Sequence, residues 1–192
     1  QLNLPANSFL VMANQTISNC LERSRFISLI YLLLDFEFNV LTYSRAGHCP
    51  LLYYNGDKKE ATYISGRGLG LGILRNNSYS KFIETHEINL HVGDVIVLYT
   101  DGLIEGRSSE DTAEAQYGYD RLKKCVLREV QQSAENIKDA IKTDFNEYTQ
   151  NSDFKDDTSL VVIKITALNS FMGLDNEFKE ISNALNNSGF AE

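Results

Sequence analysis

The chain has 192 residues, 43% of them hydrophobic and 23% charged, with a mean hydropathy of -0.26, which is the composition of one soluble globular domain with a core of its own and excludes a disordered segment. Eighteen Lys and Arg face 26 Asp and Glu, so the net charge of -8 argues against a nucleic-acid or anionic-membrane surface, both of which need clustered cations. Cys20, Cys49 and Cys125 are odd in number, far apart and without CxxC spacing, so neither a disulfide framework nor a zinc site is indicated and a reducing cytoplasm fits.

No basic stretch leads into an apolar one at the start, so no signal peptide is read. Gln1 is not an initiator methionine, and the chain therefore reads as a fragment or a processed form. Asn7 or Ser8 is placed to cap a first helix, with Leu10, Ala13, Ile17 and Leu21 at helical spacing. The apolar run Phe26 to Asp35 is too short to cross a bilayer. It predicts a strand covered on both faces and central in its sheet.

Residues 38–46 and 51–54 predict two more strands. Asn55-Gly56-Asp57 signals a reverse turn, with residues 62–65 returning antiparallel. Glycines at alternate positions from Gly66 to Gly72 predict a loop or a distorted edge. Further strands are expected over 82–88 and 95–99. Residues 105–116 read as a polar surface loop.

Leu122, Val126 and Val130 predict a helix from Tyr119. Ser133 is expected to cap a second, with Ile137, Ala140, Ile141, Phe145 and Tyr148 inward. A polar loop over 149–157 leads to a last strand, 160–165. Beyond it lies a tail with a short helical pattern from Asp175. Strands grouped apart from helices predict an α+β fold of a mainly antiparallel sheet system with helices outside.

The chemistry concentrates at two strand ends. Val95 to Tyr99 delivers Asp101, and Gly102 after it permits a close backbone approach. Asp156 and Asp157 stand just before Leu160 to Ile165. If these strands are antiparallel neighbours, the carboxylates converge, and in the absence of a basic partner a divalent cation relieves their repulsion. Mg2+ or Mn2+ is the natural occupant, since hard ions take oxygen ligands and retain waters. Either motif alone is more often an ordinary turn or a solvated loop.

In order, Arg25–Asp35, Ala46–Leu52, Gly68–Ile73, Leu90–Asp94, Tyr99–Glu105, Tyr117–Leu122 and Asp156–Leu160 resemble the hallmark segments of the SpoIIE/RsbU branch of the PPM (type 2C) metal-dependent serine/threonine protein phosphatases. The resemblance spans about residues 5 to 165. It implies a PPM-type antiparallel β-sandwich flanked by helices, four layers α-β-β-α. It also implies hydrolysis of phosphoserine or phosphothreonine on a small regulatory protein of the anti-sigma-factor-antagonist type, in bacterial partner-switching signalling. Two Mn2+ or Mg2+ ions would serve in the complete domain, with no phosphoenzyme intermediate.

By the same resemblance Asp101 and Asp156 are the catalytic metal ligands, with Asp157 a further candidate that supports the loop. His48 is read as a hydrogen-bonded structural histidine. Arg45 is read either as a phosphate contact or as the partner of a surface acid, and Glu105 as a surface residue or an orienter of water. Family members carry an upstream strand and a Gly-Asp loop that bridges both metals, and Gln1 to Glu22 matches the helix after that loop. Residues 1–166 are therefore expected to be a phosphatase domain without its first strands and first metal motif, and to need that segment for activity. Residues 167–192 are expected to be a tail or the start of a linker.

An upstream sensor domain and a homodimer suit the resemblance, as does a cytoplasmic location, with any membrane tether outside this segment. The competing reading is a catalytically silent phosphoprotein-binding module of the same fold. A cyclase-like domain is disfavoured because no phosphate-binding helix start or P-loop lysine is present.

Overall fold

Period-two alternation assigns every strand two faces, and the two faces feed different cores. In β2 (Val40–Ala46), Leu41 and Tyr43 are fully buried on one side and Ala46 on the other. In β3 (Leu51–Asn55), Leu51 and Tyr53 face one core while Leu52 and Tyr54 face another. β6 (Val95–Tyr99) splits the same way, Ile96 and Leu98 against Val95, Val97 and Tyr99. A computed structural model describes residues 5–108, 116–150 and 156–169.

Two antiparallel sheets result. One has the order β1 (Leu29–Asp35), β2, β5 (His86–Asn89), and the other β4 (Glu60–Ile64), β3, β6, β7 (Leu160–Lys164). They pack face to face through Leu41, Tyr43, Leu51, Tyr53 and Ile96. α1 (Ala6–Ser18) covers the outer face of the first sheet, with Leu10 meeting Ala46, Leu71 and Tyr79. α3 (Gly118–Glu129) and α4 (Ala134–Tyr148) cover the second, through Leu122, Val126, Ile137 and Ile141. The four α-β-β-α layers expected from the sequence are present.

The first strand is not central. β1 lies at the end of its sheet, paired with β2 alone among the described residues. Its continuous apolar character comes from two covered faces, Ile30, Leu32 and Leu34 toward the inter-sheet core and Leu29 and Tyr31 toward α1. Side chains report on faces and not on hydrogen-bonding neighbours. Phe36 and Phe38 are exposed in the following turn, where Asp35 Oδ1 accepts from the amides of Glu37 and Phe38 at 2.9 and 3.0 Å.

At α1, neither Asn7 nor Ser8 caps. The helix begins at Ala6 behind Pro5 with no side-chain cap, because a proline sets the entry angle without an amide to satisfy. The strand expected over 82–88 is confined to β5, since a 3-10 helix (Asn77–Phe82) precedes it, capped by the Asn76 side chain. Ser133 caps α4 as its spacing indicates, its Oγ accepting from Asn136 N at 3.2 Å. The helical pattern from Asp175 and residues 109–115 and 151–155 of the two polar loops lie outside the described residues.

Candidate metal centre

The register of β6 and β7 builds the site. Tyr99 pairs with Leu160 at the end of the ladder, so the residues leaving β6 run beside those entering β7. Thr100 fastens them: its amide donates to Ser159 O at 3.1 Å, its Oγ1 accepts from Ser159 N at 2.9 Å and donates to Asp157 O at 3.2 Å. Asp101 begins the short α2 (Asp101–Ile104), and Asp156 and Asp157 stand directly before this seam. A Cβ on Gly102 would meet the Asp157 carbonyl at 2.6 Å, so the approach needs glycine.

All three carboxylates are exposed. Asp101 Oδ1 accepts from Gly102 N at 3.1 Å, and Asp156 Oδ1 accepts from Asp157 N at 2.8 Å. Among the described residues no Lys, Arg or His forms an ion pair with any of them. Asp157 contributes to the seam through its backbone, as donor to Asp156 and acceptor for Thr100.

The sequence singled out three further residues, His48, Arg45 and Glu105. His48 is half-buried, and burial holds its imidazole below the ordinary histidine range; the charge of Asp101 opposes this and that of Arg45 adds to it. Its Nδ1 lies 3.4 Å from Ser28 Oγ, a hydrogen-bonded setting. Arg45 forms no ion pair among the described residues; its Nε donates to Gly66 O at 2.7 Å and its Nη1 to His48 O, which ties β2 to the start of the glycine loop. Glu105 is exposed, and its amide donates to Asp101 O at 2.8 Å.

Composition gave no hint of Cys49, whose thiol is pushed up by burial and then by the nearby charge of Asp101. The sequence reading also passed over a cleft of about 600 Å3 opening from Asp156 and Asp157 toward α4, with Leu103, Phe145 and Leu160 as its apolar surface. A Cβ on Gly106 would strike the Phe145 ring at 2.3 Å, which fixes how closely the chain after α2 approaches α4.

Exposed oxygen donors without a basic partner suit a hard divalent cation. No cluster of three His, Cys, Asp or Glu able to hold a metal stands among the described residues. An ion of Mg2+ type, which binds through one or two carboxylates and keeps several waters, is the kind that such donors suit.

The sequence profile of the family described as Stage II sporulation protein E (SpoIIE) matches residues 1–166. Phosphoserine phosphatase RsbU of Bacillus subtilis (strain 168) is 28% identical over 153 residues, 79% of this chain and 42% of that protein. The SiaA-PP2C domain of Pseudomonas aeruginosa superposes with a TM-score of 0.71 at 17% identity, over 84% of this chain and 61% of that one. The Mn-presoaked phosphatase domain of SpoIIE from Bacillus subtilis gives 0.53 at 16%, over 83% and 65%. At such identities the solved structures show the fold alone. The chain spans less than half the length of RsbU.

Proposed function

The chain belongs to the SpoIIE family, the RsbU/SpoIIE kind of PP2C-type serine phosphatases, and from that premise we propose that it hydrolyses phosphoserine or phosphothreonine on a small regulatory protein. The substrate is of the anti-sigma-factor-antagonist type, and the setting is partner-switching signalling in the cytoplasm. What supports this reading is the seam at the joined ends of β6 and β7, where Thr100 ties the segment that carries Asp101 to the one that carries Asp156 and Asp157.

In this reading Asp101 and Asp156 hold Mn2+ or Mg2+, with Asp157 supporting them. Such an ion supplies Lewis-acid stabilisation of the phosphoryl group and an acidified water. The chain's own residues supply the geometry. Asp157 N orients the Asp156 carboxylate, Gly102 N orients that of Asp101, and Thr100 fixes the distance between the two segments. In this reading residues 1–166 are a phosphatase domain without its first strands and first metal motif and 167–192 a tail or linker; a family match that ends at 166 supports that division. An upstream sensor and a second copy of the protein are the partners this role calls for. No helix among the described residues is long and apolar enough to cross a membrane.

The test is hydrolysis of a phosphoserine peptide by the intact protein during Mn2+ titration. Asp101→Asn and Asp156→Asn should each lower kcat/KM by more than about 100-fold, beyond what loss of an outer-shell partner costs. Full turnover by either variant contradicts the reading. The second reading is a silent phosphoprotein-binding module of the same fold. It predicts peptide binding by the native protein with no Mn2+-dependent turnover.

A further inference from the structure

The cleft beside the carboxylates has a wall of opposite character. Lys138, Lys142 and Asn146 line it from α4, and their four-residue spacing puts them on one helical face. Asp156 and Asp157 line it from the approach to β7. Lys138 is already engaged, paired with Glu135 and with Asp139 at 3.6 Å. Lys142 is exposed and has no ion pair or hydrogen bond among the described residues. In a chain of net charge -8, an uncommitted cation in a cleft is a local reversal of sign, and it attracts an anionic group.

The size fits a peptide and not only a small anion. From Lys138 to Asn146 the wall runs about 12 Å at the α-helical rise, the reach of roughly four extended residues. Phe145 and Leu103 add apolar surface between the charges, as in clefts that hold a chain by contact and orient it with a few polar groups.

We propose that this cleft seats the segment flanking the phosphoserine of a phosphoprotein substrate, and that Lys142 selects an acidic side chain on that segment. The inference rests on the proposed phosphatase reading, which directs the phosphoryl group to the Asp101–Asp156 end. The lysine wall then meets carboxylates of the neighbouring residues. This makes Lys142 a specificity-determining residue that touches substrate away from the reacting atoms.

The experiment compares two fluorescent phosphoserine peptides, one with Glu flanking the phosphoserine and one with Gln in its place. Binding is followed by anisotropy at about 0.1 M salt for the native chain and for Lys142→Glu and Lys142→Arg. The native chain should favour the acidic peptide by about fivefold, the upper end for one exposed ion pair. Lys142→Glu should erase that preference while leaving the Gln peptide within twofold of native, Lys142→Arg should keep it, and added salt should shrink it.

Equal weakening of both peptides by Lys142→Glu would mean that the lysine meets the phosphate itself, and it overturns the proposal. No preference in the native chain, or no binding of the acidic peptide, overturns it as well. A preference that survives in a protein that carries the upstream segment and still shows no turnover strikes at the phosphatase reading and not at the cleft. Turnover without preference does the reverse.

Discussion

Asp94 shows how much one side chain fixes. It is fully buried and accepts from Tyr53 Oη at 2.7 Å, Gly56 N at 2.7 Å and His91 N at 2.8 Å, so a single carboxylate closes the turn into β6 and ties it to the β3–β4 hairpin. Asp94→Ala strands three donors, and it should lower unfolding free energy by about 3 kcal/mol in urea titration; a loss under about 1 kcal/mol would show that water replaces the carboxylate. At Gly102 the constraint is space. Gly102→Ala should push Asp157 away and weaken Mn2+ binding at least about tenfold by calorimetry, with a stability cost near 1–3 kcal/mol. Unchanged Mn2+ affinity would separate the seam from the site. The close approach at Gly102 was legible because a strand end followed by glycine carries a local signal. Cys49 and Lys142 were not, since their proximity to the site arises from β3 and α4 packing, at long sequence separation.

Among the elements, α3 and α4 are joined by a partly buried polar clamp. Arg121 donates to Asp144 through Nε at 2.8 Å and Nη2 at 3.1 Å, Tyr117 Oη donates to Asp144 at 2.7 Å, and the guanidinium lies 4.6 Å from the Tyr148 ring. Burial raises the Asp144 carboxyl, but the bonds from Arg121 and Tyr117 outweigh it and hold the group below the ordinary carboxylate range. A depressed folded-state pKa gives stability that is complete above the unfolded value, about 3.9, and is lost as pH falls through the folded one. Asp144→Asn should therefore destabilise by about 2 kcal/mol at pH 7, with the gap to native closing below about pH 3.9 in thermal melts. A gap that persists in acid would mean that the amide has disturbed packing and not charge. The helix pair itself was legible from the spacing of Leu122, Val126, Ile137 and Ile141, all inward in the structure. The edge position of β1 was not, because apolar residues on two faces leave the strand's hydrogen-bonding neighbours unspecified. The stripe read for α1 likewise hid Asn14, 1% exposed, which accepts from Gly72 N and donates to Leu74 O. A polar residue on an apolar face has a buried partner that no spacing reveals.

For the whole molecule, the two sheets and their helical covers serve to bring distant segments to one end of β6 and β7, 55 residues apart in the chain at Asp101 and Asp156. In the proposed function those two carboxylates act as one site. Calorimetric titration of Mn2+ into the native protein, Asp101→Asn, Asp156→Asn and the double variant measures that coupling directly. If the two side chains share an ion, either single variant should abolish most of the affinity and the second substitution should add little. Independent, additive losses, or single variants that bind Mn2+ as the native protein does, would contradict it.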